Sequence, residues 1–264
     1  MKPFNPPLAD WQGKTAWIVG ASSGIGRATA LALLEGGARV AVSARNGEAL
    51  EELAALHNDA ALPPRVIVLP LDVCDAAAVA AAYAQLQAMA GTIDLVLFNA
   101  ATYGVLRADA FALDEMLAHQ QVNYVGALNV LAAVLPGFVA RGAGHISLTA
   151  SVAGFRGLPK SLAYGPTKAA LTNLAEVLYI DLHARGIGVS VIQPGFVATA
   201  LTAKNDFAMP ALITPAQAAE AMLDGWRRGA FEIHFPRRFT FWMKLMRLLP
   251  YRLYFPAVAR FTGL

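Results

Sequence analysis

A tyrosine and a lysine stand four residues apart in this sequence, and together their side chains could perform acid–base chemistry. Tyr164 and Lys168 project from one side of a predicted helix, since residues four apart share a helix face. A phenol titrates near pH ~10, which makes it a weak acid at neutral pH. A neighbouring ammonium stabilises the phenolate and lowers the phenol's pKa toward the range that acid–base catalysis uses. Ser151, thirteen residues upstream, could supply a hydroxyl that orients a substrate carbonyl.

A glycine-rich turn near the N-terminus could bind a phosphate group. Residues 16–19 form a short apolar run typical of a buried strand, and a helical pattern begins at Arg27. Gly20, Gly24 and Gly26 lie between the two. Glycines let backbone N–H groups approach an anion, and the dipole of the following helix favours the negative charge. The alternative is an ordinary glycine-rich turn, because the spacing differs from the commonest dinucleotide-binding pattern.

Several short motifs follow one another along the chain and together resemble a known family. They are Gly20-x-x-x-Gly24-x-Gly26, Asn99-Ala100, Asn123, Ser151, Tyr164-x-x-x-Lys168 and Pro194-Gly195. In order and spacing they are similar to the single-domain short-chain dehydrogenases/reductases, and they cover about residues 12–200. Two segments depart from that family's pattern. Val19 stands in place of a threonine, and Phe98-Asn99-Ala100-Ala101 stands in place of Asn-Asn-Ala-Gly.

The resemblance implies which residues act. The implied catalytic residues are Asn123, Ser151, Tyr164 and Lys168. The residues implied to bind a dinucleotide cofactor are Gly20, Ser22, Ser23, Gly24, Ile25, Gly26, Arg45, Asp72, Val73, Asn99, Ala100, Tyr164, Lys168, Pro194, Gly195, Val197 and Thr199. Asn123 would hold a proton-relay water near Lys168. The histidines are scattered without metal-ligand spacing, so we expect no metal ion.

Alternating apolar and helical patterns predict an α/β fold. The predicted strands are 16–19, 39–43, 66–69, 95–99, 145–149, 189–193 and 232–235. The predicted helices are 27–35, 48–57, 76–89, 113–135, 164–184 and 215–227. This alternation indicates a doubly wound, mostly parallel Rossmann-type sheet of about seven strands with helices on both faces. Ligands of such sheets bind beyond the carboxyl ends of the strands, where the candidate residues lie.

Length and composition fit a single α/β domain followed by a basic tail. The chain has 264 residues, of which 56% are hydrophobic and 15% charged, and this length can bury a large core. We assign residues 1–235 to the catalytic domain and 236–264 to a C-terminal extension. Cys74 is the single cysteine, so we expect no intrachain disulfide and a reducing cytoplasm. The N-terminus shows no apolar run of signal-peptide length.

The end of the second predicted strand bears on cofactor choice. NAD-preferring enzymes place an acidic residue there to hold the ribose 2′-hydroxyl. This chain has Arg45, and a guanidinium suits the 2′-phosphate of NADP(H). Alternatively, Arg45 stacks on adenine or faces solvent. Asp72 would meet the adenine edge or, alternatively, cap the helix that opens near Asp75.

The sequence therefore predicts an NADPH-dependent oxidoreductase that reversibly reduces a ketone or aldehyde. A non-catalytic dinucleotide-binding scaffold or sensor is the alternative, and a related epimerase or dehydratase is a third. We predict a small-molecule substrate and no nucleic-acid partner. The resemblance suggests a homodimer or homotetramer, formed through helices 113–135 and 164–184. A predicted lid, residues 200–214, carries Leu201, Phe207, Met209 and Leu212, which favours a hydrophobic substrate.

The C-terminal extension contains a basic amphipathic helix. Residues 236–264 hold six basic side chains and no acidic one, whereas residues 1–235 hold 15 basic and 18 acidic ones. In the predicted helix 239–249, a polar stripe of Thr240, Lys244 and Arg247 faces away from a broad apolar surface. Such a helix suits a membrane interface, at the inner face of a membrane. The alternative is that the apolar surface packs on the domain or on a partner subunit.

Overall fold

Strands and helices alternate along the chain, as predicted. The computed structural model describes residues 2–59, 62–205 and 209–262. The strands are β1 (Thr15–Val19), β2 (Arg39–Ser43), β3 (Val66–Val68), β4 (Leu95–Phe98), β5 (Gly144–Thr149), β6 (Ile187–Pro194) and β7 (Glu232–Phe235). The helices are α1 (Gly24–Glu35), α2 (Gly47–His57), α3 (Ala76–Ala90), α4 (Leu113–Gln120), α5 (Gly126–Arg141), α6 (Tyr164–Leu182), α7 (Pro215–Arg227), α8 (Arg237–Leu248) and α9 (Tyr251–Thr262).

All seven strands form one parallel sheet in the order β3-β2-β1-β4-β5-β6-β7. The strand order reverses between β1 and β4, which places a crevice at their carboxyl ends. The predicted doubly wound fold is therefore confirmed.

Helices cover both faces of the sheet. On one face α3, α5 and α6 bury side chains such as Val79, Val134 and Leu171. On the other, α1 and α7 bury Leu33 and Met222. Because both faces are covered, the central strands are buried on both sides and read as continuous apolar runs.

The predicted helix 113–135 is longer and less regular than its sequence pattern indicates. It continues to Arg141, and a wider π-type turn at Gln121–Val125 separates α4 from α5. By length and composition alone, the segment Leu113–Arg141 could span a membrane. It packs on the sheet through Val130 and Phe138, which is the role of a helix in an α/β domain.

The C-terminal extension forms two helices, of which only the first was predicted. Helix α8 ends at Leu248, and α9 begins directly after Pro250. A proline in a helix interior removes a backbone hydrogen bond and favours a kink or an end, whereas it is tolerated at the start of a helix. Pro250 therefore follows the end of α8. Its carbonyl accepts a hydrogen bond from the N–H of Tyr254 in α9, at 2.9 Å.

Candidate active site

A cavity of about 450 Å³ lies at the carboxyl edge of the sheet. Every predicted cofactor-binding residue except Gly26 lines it. Residues that sequence reasoning missed are Ala44, Asn46, Leu71, Ala101, Val122, Thr149 and Ala150. The predicted lid, residues 200–214, also contributes Ala200, Thr202 and Lys204 to the lining. Most of the missed residues are adjacent in sequence to a predicted site residue at the carboxyl end of a strand. This adjacency is the sequence feature that could have identified them.

The side chains of Ser151, Tyr164 and Lys168 meet at this cavity. Ser151 follows β5, and its Oγ accepts a hydrogen bond from the N–H of Ala153 at 3.1 Å. Tyr164 and Lys168 lie at the start of α6. The Lys168 ammonium donates to the carbonyl of Thr149 at 2.8 Å and lies 5.5 Å from the centre of the Tyr164 ring. The structure thus brings together the hydroxyl, phenol and ammonium that the sequence predicts.

Burial controls the protonation of this group. Burial raises the pKa of Tyr164 above its ordinary value, although a hydrogen bond with Ser151 acts in the opposite direction and Tyr103 adds to the increase. Burial also lowers the pKa of Lys168 to about 7. The expectation of a lowered phenol pKa is therefore wrong for this site. The physical reason is that desolvation disfavours the charged forms of both groups, the phenolate of Tyr164 and the ammonium of Lys168.

The glycine turn forms a cradle at the start of α1. Gly20 has a φ of +95°, and a Cβ there would lie 2.5 Å from the backbone nitrogen of Ala100. The Asn99 side chain donates to the Gly20 carbonyl at 3.2 Å, which ties this turn to the end of β4. Ser23 precedes the first helical residue, so the N-terminus of α1 adjoins the cavity. These features fit a pyrophosphate of a dinucleotide.

Gly26 has a different role from the one predicted. It does not line the cavity, whereas a Cβ at this position would lie 2.0 Å from the carbonyl oxygen of Gly20 and 2.9 Å from the Asn99 amide nitrogen. Gly26 therefore permits the close approach of α1 to the turn, and it shapes the cradle without facing the ligand.

We expect Gly26→Ala to destabilise the protein by about 1–3 kcal/mol, the usual range for overpacking a close contact, and to weaken dinucleotide binding. Urea unfolding and cofactor titration measure the two effects. Gly157→Ala is the matched control, because a Cβ there meets no atom within 4 Å. Unchanged stability and affinity in the Gly26 variant would contradict this assignment.

Asn123 is fully buried in the π-type turn. Its Oδ1 accepts from the Thr102 N–H at 2.7 Å, and its Nδ2 donates to the Thr102 carbonyl and to Thr167 Oγ1, both at 3.1 Å. Asn123 does not line the cavity. Its side chain thereby joins the loop after β4 to α6, while the role of holding a relay water stays a prediction.

Arg45 and Asp72 lie at the outer part of the cavity. Both are exposed and line it, beyond the ends of β2 and β3 respectively. Asp72 Oδ1 accepts from the N–H of Cys74 at 2.9 Å. The helix cap is Asp75, whose Oδ1 accepts from the N–H of Ala78 at 2.9 Å. The alternative that Asp72 caps α3 is therefore wrong.

Tyr103 is a further aromatic neighbour of the site that sequence reasoning missed. Its ring meets the Tyr164 ring edge-on at 5.1 Å, and its hydroxyl donates to Asn205 Oδ1 at 2.7 Å. Its position four residues after Asn99, beyond a strand end, was the available signal. In the predicted lid, Leu201 lines the cavity and Leu212 is 46% exposed.

The two remaining named residues of the predicted lid are Met209 and Phe207. The sulfur of Met209 accepts a hydrogen bond from the Asn205 side chain. Phe207 lies outside the described residues.

Comparison with known proteins places this architecture in a large group of enzymes. The family model described as short chain dehydrogenase matches residues 14–209. An uncharacterized oxidoreductase of Myxococcus xanthus is 39% identical over 254 residues, covering 96% of this chain and 99% of that protein.

Two solved structures extend the comparison. A gluconate 5-dehydrogenase from Burkholderia cenocepacia, in complex with NADP and tartrate, is 28% identical with a TM-score of 0.75 and covers 88% of this chain and 95% of that one. A short chain dehydrogenase/reductase from Burkholderia phymatum, in complex with NAD, has a TM-score of 0.81 and 23% identity over 90% of this chain and 94% of that one. The latter supports the fold alone.

Proposed function

The chain belongs to the short-chain dehydrogenase/reductase family of NAD(P)-dependent oxidoreductases, and from this we propose that it uses NADPH to reduce a hydrophobic ketone or aldehyde. The observation that carries the proposal is the meeting of Ser151, Tyr164 and Lys168 in a cavity that begins at a glycine cradle. Bound NADPH would supply the hydride that reduces the carbonyl carbon.

The protein's own groups position the substrate and provide the proton. The Ser151 hydroxyl and the Tyr164 phenol donate hydrogen bonds to the carbonyl oxygen, and Tyr164 then transfers its proton to that oxygen. Burial raises the pKa of Tyr164, so the phenol is protonated at neutral pH but is a weak acid there. In its charged form, the Lys168 ammonium stabilises the phenolate that remains.

We propose NADP(H) over NAD(H) because Arg45 lines the cavity just beyond the end of β2, and a guanidinium there suits a 2′-phosphate. The gluconate 5-dehydrogenase relative, solved with NADP, is consistent with this choice. A guanidinium hydrogen-bonded to a phosphate contributes about 1.5–3 kcal/mol.

Arg45→Ala should therefore raise the KM for NADPH by about 10- to 100-fold and leave the KM for NADH nearly unchanged. Steady-state kinetics with both cofactors measure this. Arg185→Ala, an exposed arginine near the opposite edge of the sheet, is the control and should change neither value. Equal increases for both cofactors would instead favour stacking of Arg45 on adenine.

Turnover of a carbonyl panel tests the activity itself. NADPH oxidation should be followed with ketones and aldehydes ranging from short and polar to long and apolar, and faster oxidation with the apolar members is expected. Tight NADPH binding with no turnover in either the reduction or the oxidation direction would favour the non-catalytic scaffold.

We also propose a cytoplasmic homodimer or homotetramer. Exposed apolar residues on α4 and α6, namely Leu113, Leu117, Val177 and Ile180, support an interface between subunits on these helices. Residues 236–264 would bring this enzyme to the inner face of a membrane.

A further inference from the structure

Helix α8 packs on the domain through its polar side. Thr240 is fully buried, and its Oγ1 lies 2.6 Å from His234 Nδ1. Lys244 forms an ion pair with Glu232 on β7. Thr240 and Lys244 of the polar stripe thus face the protein, whereas Arg247 is exposed. The alternative that the apolar surface packs on the same domain is wrong for the described residues, because Phe241, Trp242, Leu245 and Leu248 are exposed.

Eight large apolar side chains of α8 and α9 face outward. We call this surface the tail face, and its members are Phe241, Trp242, Leu245, Leu248, Tyr251, Leu253, Phe255 and Phe261. Leu248 is 80% exposed and Trp242 67%. A cluster of exposed large apolar side chains on a folded domain indicates an interaction surface.

Charge distinguishes between the partners that could cover the tail face. Arg237, Arg238, Arg252 and Arg260 are exposed beside it, and residues 236–264 contain no acidic side chain. A second copy docked through the same face would oppose these cations with its own, which is unfavourable. An anionic bilayer offers both negative headgroups and an apolar layer, and interfacial helices combine tryptophan, leucine and basic residues in this way.

The inner side of the tail borders the active-site cavity. Arg156, five residues after Ser151, donates to the α8 carbonyl of Arg247 at 3.3 Å, and its guanidinium lies 4.1 Å from the ring of Tyr254. Tyr254 in turn donates to the Gly157 carbonyl at 2.8 Å. These contacts fix both helices on the loop that follows Ser151.

A second contact joins α8 to the cavity wall itself. Gly195 lines the cavity, and Phe239 of α8 packs against it. A Cβ added to Gly195 would lie 2.8 Å from the Phe239 ring. The ring also lies 5.3 Å from that of Phe196. Helix α8, which carries part of the tail face, therefore packs against one wall of the cavity.

We infer that the tail face inserts into the interface of an anionic bilayer and that the neighbouring cavity takes a carbonyl substrate carried in that bilayer. The statement about the substrate rests on the proposed reductase function, whereas the statement about docking does not.

Trp242 is a built-in probe for the docking. The other three tryptophans, Trp11, Trp17 and Trp226, are at most 5% exposed, so quenching by brominated lipids reports on Trp242. The full-length protein is titrated with brominated vesicles of phosphatidylcholine alone or mixed with phosphatidylglycerol. Strong quenching with the mixed vesicles and little with the neutral ones is expected.

Two double variants test the apolar and the electrostatic contributions to docking, and both keep Trp242. Leu248→Ser with Phe255→Ser removes apolar contacts, and Arg238→Glu with Arg252→Glu reverses charge. Each pair should lower the affinity for mixed vesicles about tenfold or more. Leu56→Ser, which changes a leucine that is 74% exposed on α2, is the matched control and should bind like the parent protein.

The outcomes separate docking from catalysis. The Leu248/Phe255 variant should reduce a short water-soluble methyl ketone normally but lose at least tenfold in rate on a long-chain methyl ketone held in mixed vesicles. Absence of quenching, or quenching that the variants leave unchanged, would overturn the docking. Reduced self-association of that variant in sedimentation, with no vesicle binding by the parent, would assign the face to a second copy. Vesicle binding without reduction of any ketone would overturn the substrate statement and the proposed activity, and leave the docking intact.

Discussion

Tyr164→Phe should lower kcat for carbonyl reduction by about 10²- to 10⁴-fold, the usual contribution of one acid–base group. The substitution removes the proton donor while keeping the ring, which packs edge-on against Tyr103. The phenol is protonated at neutral pH, so the wild-type enzyme has this donor available, whereas the variant has no hydroxyl to replace it. Stopped-flow measurement of NADPH oxidation at saturating ketone isolates this step.

The binding of NADPH by the Tyr164 variant should stay close to that of the wild type, since the glycine cradle and Arg45 are untouched. Tyr83→Phe is the matched control, because Tyr83 is buried in the core with its ring stacked on Trp17 at 5.8 Å, and it is not part of the cavity. Near-normal turnover by the Tyr164 variant would remove the tyrosine from the mechanism and with it the proposed proton route.

Lys168→Met is expected to have two opposite effects, namely a large loss of activity and a gain in stability. The buried ammonium has its pKa lowered from 10.5 to about 7. By the conversion of about 1.4 kcal/mol per pKa unit, holding it charged costs the native state about 5 kcal/mol below pH 7. Loss of its hydrogen bond to the Thr149 carbonyl offsets about 1–2 kcal/mol of this, so we expect a net gain of about 3 kcal/mol.

The sign of the pH dependence makes this prediction specific. Between pH 7 and 10.5 the unfolded chain holds the lysine proton and the native state does not, so the wild-type protein gains stability as the pH rises. The advantage of the variant is therefore complete below pH 7 and shrinks by about 1.4 kcal/mol per pH unit above it.

Urea unfolding at a series of pH values, together with kcat at each, measures both effects of the lysine substitution. Lys14→Met, which changes a lysine at the amino end of β1 that pairs with Asp94, should alter stability by less than about 1 kcal/mol and leave kcat unchanged. A Lys168 variant that is less stable than wild type at pH 6, or a difference that does not vary with pH, would show that burial of the charge is not the dominant cost.

Local patterns in the sequence determined the fold and most of the site. The central strands β1 and β4 are buried on both faces, so they read as continuous apolar runs whose ends can be located. The candidate residues follow those ends, and parallel strands bring their carboxyl ends to one edge. The four-residue spacing of Tyr164 and Lys168 likewise needs only helix geometry.

Tertiary structure decided everything that depends on partners far apart in the chain. Asn123 accepts a hydrogen bond from Thr102, and Gly26 is constrained by the Gly20 carbonyl and Asn99. The spacing of these residues in the sequence does not predict their contacts. Desolvation set the pKa values of Tyr164 and Lys168, because it depends on the groups that surround them in space. The same holds for α8: its sequence shows one polar and one apolar side, but only the contacts with His234 and Glu232 determine that the polar side faces inward.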